Sequence, residues 1–183
     1  NVRYDIASFW LIAFAAILLA AVIAAVLGLV VVHLSEVSFL LVTLAFGQLL
    51  FSIAWTWYPV TGGDDGIPGI SRPDIGLPIS MWDMTNFYYF VFVIFVICFL
   101  AIYRITDSPF GRALVGIREN QPRMKLLGFN TWLYKYTCFV IGGLFSGISG
   151  VFYAYLVGIA TPENLGMGTS TMAMLMVIMG GAG

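Results

Sequence analysis

Charge is scarce in this 183-residue chain: Asp, Glu, Lys and Arg make up only 9% of it, against roughly 25% in a soluble globular domain. Hydrophobic residues reach 61% and the mean hydropathy is +0.98. The scarcity excludes a soluble fold, because a water-facing helix needs a polar face and the long apolar runs here have none. Cysteine is nearly absent too. Cys98 and Cys138 each sit inside an apolar run, which excludes a disulfide framework or a metal-binding spacing and leaves two small lipid- or bundle-facing residues. The single histidine, His33, falls at a polar break and reads as structural, with a proton relay as the alternative. There is no nucleophile–base pair, no metal cluster and no G-x-x-x-x-G-K-S/T phosphate loop, so the chain is not expected to hold ATP in that way. The first apolar run is too long for a cleavable signal peptide and lacks a basic start or cleavage site. The chain begins without Met and ends in mid-pattern at Gly180-Gly181-Ala182-Gly183, and is expected to be a fragment truncated at both ends.

What is present is a succession of apolar runs, and a bilayer span takes about 20 such residues per helix. The expected fold class is an all-α integral membrane protein, a polytopic helix bundle forming a single transmembrane domain over residues 1–183, with about five segments. They run from about Phe9 to Val32, Phe39 to Trp57, Phe87 to Tyr103, Tyr136 to Ile159, and from near Thr171 onward. Trp55, Trp57 and Tyr58 close the second, and Tyr88 and Tyr89 open the third, as suits membrane–water interfaces. The break at His33, Ser35 and Glu36 reads either as a tight hairpin or as the mark of a discontinuous, re-entrant helix of the kind from which transporters build sites.

The few charges are sorted. Residues 104–135 hold Arg104, Arg112, Arg118, Arg123, Lys125 and Lys135, six of the eight basic residues, against Asp107 and Glu119. The loop at 58–86 holds Asp64, Asp65, Asp74 and Asp83 against Arg72. Basic loops are retained on the cytoplasmic side, so 104–135 is expected inside and 58–86 outside. The basic stretch also has helical punctuation. Asp107 or Ser108 can cap a helix opened by Pro109. Asn120-Gln121-Pro122 breaks it and starts a second, Gly128 closes that one, and Asn130 or Thr131 caps the next segment. Two short helices along the membrane surface are expected; an amphipathic loop resting on anionic lipid is the plainer reading.

In the outer loop, Gly62, Gly63 and Gly66 around Asp64-Asp65 predict a compact turn, and the acidic spacing does not match a calcium loop. The fourth segment carries Gly142, Ser146, Gly150 and Ala154 at intervals of four, with Gly143 and Gly147 as a parallel row, a spacing that lets helix backbones approach closely in lipid.

Four blocks together resemble a known family. Val42-Thr43-Leu44-Ala45-Phe46-Gly47-Gln48 lies in the second segment. Thr61-Gly62-Gly63-Asp64-Asp65-Gly66-Ile67 matches an outer T-G-G-x-x-G loop. Ser108 to Gly128 opens S-P-x-G-R and runs through Arg118-Glu119-Asn120 to Leu127-Gly128. Gly147 to Glu163 and Met176 to Gly183 complete the set. The chain from about Phe39 onward resembles the second, M-type permease subunit of bacterial branched-chain amino-acid ABC importers. Val32-His33-Leu34-Ser35-Glu36 departs from the family's basic, Gly-containing turn, and the family's terminal helices are missing.

The resemblance implies a multi-pass protein of the bacterial inner membrane, without chemistry of its own, working by alternating access. Its implied partners are a second homologous permease subunit, two cytoplasmic ABC ATPases that bind ATP and Mg, a periplasmic substrate-binding protein and the lipid bilayer, with no nucleic acid. It also implies that 104–135 is the ATPase-coupling loop, anchored by Arg112, Arg118, Glu119 and Arg123, and that Gly62, Gly63 and Gly66 shape the docking surface for the binding protein. Thr43, Phe46 and Gln48 are candidates for the translocation path, bundle packing being their other reading. A path without buried charge suits a small, overall neutral ligand with an apolar side chain. Urea and short-amide importers have closely similar permeases. An ion-coupled transporter would usually need midplane charges, of which Glu36 is the nearest candidate, and a non-transporting scaffold would show no substrate dependence.

Overall fold

The computed structural model describes residues 6–34, 36–70 and 83–180; Ser35, Arg72, Asp74 and the last three residues, named above, lie outside the described residues. In chain order the helices are α1 (Ile6–Val31), α2 (Glu36–Thr56), the single turn α3 (Tyr58–Thr61), α4 (Met84–Asp107), α5 (Pro109–Glu119), α6 (Gln121–Leu126), α7 (Thr131–Val157) and α8 (Met167–Gly180). Two very short strands, β1 (Ile67–Pro68) and β2 (Ile159–Ala160), pair antiparallel.

The apolar runs are helical because a bilayer offers no water to backbone N–H and C=O groups, which must then bond within the segment. Among the described residues four helices, α1, α2, α4 and α7, are long and apolar enough to cross a membrane. The fifth segment, α8, has 14 residues, short of the roughly 20 of a span. The chain is thus an all-α polytopic membrane protein. Helix and apolar run do not end together. Helix α4 starts at Met84 and continues to Asp107, because polar Thr85, Asn86, Arg104 and Asp107 keep helical backbone beyond the apolar stretch. Helix α7 starts at Thr131 rather than near Tyr136, and Gly158, at φ +77°, lies just beyond its end.

The chain divides into two compact units, residues 1–33 with 72–153, and residues 34–71 with 154–183. In the first, α1 lies against α7 through small residues. A Cβ placed on Gly143 would fall 2.3 Å from Ala24 Cβ, and one on Gly147 would fall 2.7 Å from Ala20 Cβ. Gly28 meets the rings of Tyr136 and Phe139 in the same way. Lipid tails supply no hydrophobic drive for helix pairing, so this close approach and its dispersion contacts hold the pair together. Phe90 of α4 sets its ring edge-on to Phe152 of α7, centroids 6.0 Å apart. At the foot of α1, His33 stacks on Trp132 at 5.4 Å, and Trp132 stacks on Tyr136 at 5.2 Å.

In the second unit, α2 carries α3 and a 3₁₀ turn (Gly63–Asp65) at its C-terminal end and packs against a second 3₁₀ turn (Pro162–Leu165) and α8. Pro162 is buried there.

Candidate functional site in the basic loop

The basic loop is a cornered pair of short helices, and each corner has a chemical cause. Ser108 makes the first. Its hydroxyl donates to the Ile105 carbonyl at 2.6 Å and accepts the Gly111 N–H at 3.4 Å, so one side chain closes α4 and caps α5. Pro109 at the first helical position lacks the N–H that would otherwise be left without a partner. Gly111 follows because the turn is tight: a Cβ there would sit 2.0 Å from the Thr106 carbonyl oxygen.

Asn120 makes the second corner. It ends α5 through its N–H to the Gly116 carbonyl at 3.0 Å, and its Oδ1 accepts the Arg123 N–H at 3.0 Å to cap α6. Met124 then lies over Gly116. Gly128, at φ +85°, closes α6. Its N–H reaches the Lys125 carbonyl at 3.0 Å, and the Phe129 N–H reaches the Met124 carbonyl at 3.1 Å. That bond pair is the Schellman arrangement, which glycine permits at this backbone angle. Asn130 Oδ1 accepts the Leu133 N–H at 3.3 Å and caps α7.

The loop is clamped to α7 at two places. Phe110 stacks on Tyr134 at 5.4 Å, and Phe129 meets the same ring edge-on at 5.9 Å. Gln121 accepts a hydrogen bond from Lys135 Nζ at 2.7 Å and donates to the Thr131 hydroxyl at 3.4 Å, Thr131 being 2% exposed. Sequence reasoning did not single out Tyr134 or the Gln121–Lys135 pair. The only signal was an amide after the helix break and a lone cation in an apolar helix start.

The buried residues of α5 are Gly111, Ala113 and Ile117. Arg112, Arg118, Glu119 and Arg123 are all exposed, and Leu126 beside them is 90% exposed. The structure therefore brings the four charged candidates onto one helical loop, with an uncovered leucine at its tip. Arg112, Val115 and Glu119 form an i, i+3, i+7 stripe on α5.

The other candidates lie elsewhere. Gly62, Gly63 and Gly66 all have positive φ. Thr61 knits the turn: its Oγ1 lies 2.6 Å from the Ala54 carbonyl and 2.9 Å from the Trp57 carbonyl, and it accepts the Gly63 N–H at 3.3 Å. Gly66 has φ +68° and ψ −167°, and a Cβ there would fall 2.5 Å from the Ala160 carbonyl. That backbone region is essentially closed to other residues, at a cost of order 1–3 kcal/mol. Gly66→Ala is therefore expected to unpair β1 from β2. Limited proteolysis within 62–70 should speed up at least severalfold, and an unchanged cleavage rate would remove the argument. Asp64 and Asp65 are exposed, and among the described residues no group of three or more His, Cys, Asp or Glu could hold a metal ion.

Thr43 directs its hydroxyl to its own helix, to the Phe39 carbonyl at 2.8 Å and the Leu40 carbonyl at 2.9 Å. Thr43 and Phe46 are half-buried and Gln48 exposed; at 3.6 residues per turn Gln48 lies about 200° around the axis from Phe46. The structure does not bring the three to one face. Along α7, a Cβ on Gly142 or Gly150 meets nothing within 4 Å, Ser146 is exposed and Ala154 half-buried. The row against α1 is Gly143 and Gly147.

Four membrane-length helices among the described residues define a multi-pass membrane protein. Residues 2–183 match the family described as branched-chain amino acid transport system / permease component, and the chain belongs to that family. It is 30% identical over 197 residues to the high-affinity branched-chain amino acid transport system permease protein LivM of Escherichia coli (strain K12), covering 96% of this chain and 46% of that protein. The protein of the same name from Salmonella typhimurium is 30% identical over 179 residues, covering 86% of this chain and 42% of it. A probable branched-chain amino acid transport permease protein LivM of Methanocaldococcus jannaschii is 28% identical over 178 residues, covering 91% of this chain and 50% of it. The chain thus spans about half the length of the curated relatives it matches. No solved structure matches.

Proposed function

We propose that this chain belongs to the permease subunit of an ABC importer that moves branched-chain or related apolar amino acids across the bacterial inner membrane. The observation that carries the reading is the basic loop: two short helices, capped by Ser108 and Asn120, clamped to α7, with Arg112, Arg118, Glu119, Arg123 and Leu126 uncovered at the outer surface. A loop held this firmly transmits displacement to α4 and α7, which a loosely tethered charge patch cannot.

The basic loop faces the cytoplasm by the positive-inside rule, and the turn at 62–66 faces the periplasm, where a substrate-binding protein docks. ATP and Mg are bound by two partner ATPases, and a second, homologous permease completes the path. ATP binding and release move the ATPases; the loop follows, and the long helices tilt to open one side at a time. This chain needs no cofactor of its own. Urea or a short amide is the alternative cargo, supported by the same lack of charge in the middle of the apolar stretches.

The test is the Arg118→Ala, Glu119→Ala double variant of the full-length subunit in its complex. Both side chains are exposed, so membrane insertion is expected to be retained. Ligand-stimulated ATP hydrolysis is expected to fall at least tenfold, because truncating a paired interfacial charge costs of order 2 kcal/mol or more. Parent-level stimulated hydrolysis would end the coupling assignment.

A further inference from the structure

Where α1 meets the start of α7, a pocket of about 240 Å³ opens beside the basic loop, bordered by Lys125, Lys135, His33, Gln121, Asn130 and Thr131. Among the described residues its lining has no carboxylate. The lining offers a cation only neutral oxygens, beside two ammonium groups that repel it, while those ammonium groups, an imidazole and two amides supply donors. Lys135 directs one N–H to Gln121, and an ammonium carries three. Asn130 and Thr131 are the cap and first residue of α7, a 27-residue helix whose N-terminal end adds partial positive charge. Trp132 also lines the pocket, and its indole N–H is buried without an acceptor among the described residues.

The volume fixes the scale. It equals about eight waters at roughly 30 Å³ each and falls below the roughly 300–1,000 Å³ of sites that enclose drug-sized ligands. A phosphate with a short polar stem is of that size. The surroundings favour a membrane source. The His33–Trp132–Tyr136 stack is the aromatic furniture of an interface, and basic pockets between membrane helices take acidic head groups.

We propose that this pocket binds a phosphate group, that of an acidic phospholipid, lodged between α1, α6 and α7. The ligand would tie the basic loop to the helix foot through Lys125 and Lys135. The proposal rests on the membrane placement of the helices and stands whether or not the loop docks an ATPase.

The experiment is native mass spectrometry of the delipidated full-length protein, with phosphatidylglycerol, phosphatidylcholine and inorganic phosphate in separate arms. Retention of one phosphatidylglycerol, weakened roughly tenfold by Lys125→Gln with Lys135→Gln, is expected, each lysine near a headgroup contributing a severalfold factor. Lys135→Gln also breaks the bond to Gln121, so Lys125→Gln alone, at an exposed position, provides the variant that leaves packing intact. Arg104→Gln, which removes an exposed charge outside the pocket, should leave retention unchanged. Binding of inorganic phosphate with the same lysine dependence, and none of the lipid, would keep the phosphate chemistry and assign it a soluble source. Equal retention of phosphatidylcholine, or indifference to both lysine variants, would overturn the proposal.

Discussion

Gly111→Ala is expected to destabilise the full-length protein by about 3 kcal/mol, the upper end of overpacking costs, because the obstacle is backbone. The added methyl would lie 2.0 Å from the Thr106 carbonyl oxygen and 2.6 Å from its carbon. Neither atom can rotate away. Relief requires opening the corner between α4 and α5, which breaks both hydrogen bonds of Ser108 and moves Phe110 off Tyr134. Gly116→Ala is the matched control. It sits on the same helix and meets only the Met124 thioether, 3.0 Å away, a flexible group that yields cheaply; alanine also gains roughly 1 kcal/mol of helix propensity over glycine. Thermal unfolding in detergent should therefore fall by several degrees for Gly111→Ala and stay level or rise for Gly116→Ala. Equal melting points for Gly111→Ala and the parent would show that the corner is not closed as described.

The punctuation of the basic loop was legible because capping is local chemistry. Ser108 before Pro109, Asn120 before Gln121-Pro122, and Gly128 after a basic turn each announce themselves within four residues. Here the structure decides between pairs left open, choosing Ser108 over Asp107 and Asn130 over Thr131. The membrane helices were legible as apolar runs, but their ends were not. Hydropathy marks where lipid is, while the backbone of α4 stays helical through Arg104 to Asp107. What sequence could not reach is long-range pairing. Ile67-Pro68 bonds to Ile159-Ala160 across about half of the chain, with a proline that reads as a turn rather than a strand. Gln121 finds Lys135 only because α6 folds back beside α7. Two small-residue rows on α7 were visible as spacings, but spacing alone does not say which row has a neighbour.

That choice of row sets the other large expected effect. Gly143→Leu should remove most of the folded subunit, while Gly150→Leu should leave it standing. In a free helix leucine is favoured over glycine by roughly 0.8 kcal/mol, so helix propensity predicts gain at both positions. Packing reverses the sign at Gly143. Its Cβ would overlap Ala24 Cβ at 2.3 Å and approach the Ala20 carbonyl at 3.7 Å, and the rest of a leucine side chain would have to enter where two backbones meet. Separating α1 from α7 would also lift Gly147 from Ala20 and Ile17 and Gly28 from the rings of Tyr136 and Phe139, so the cost exceeds about 3 kcal/mol. At Gly150 no atom of the described residues lies within 4 Å of an added Cβ, and none of them resists the larger side chain. The measurement is monodispersity and thermal unfolding of each full-length variant, followed by co-purification with the proposed second permease. A Gly143→Leu protein that melts with the parent would refute the α1–α7 contact. A Gly150→Leu protein that folds but no longer retains the second permease would assign its open face to subunit pairing, and one that retains it would assign that face to lipid.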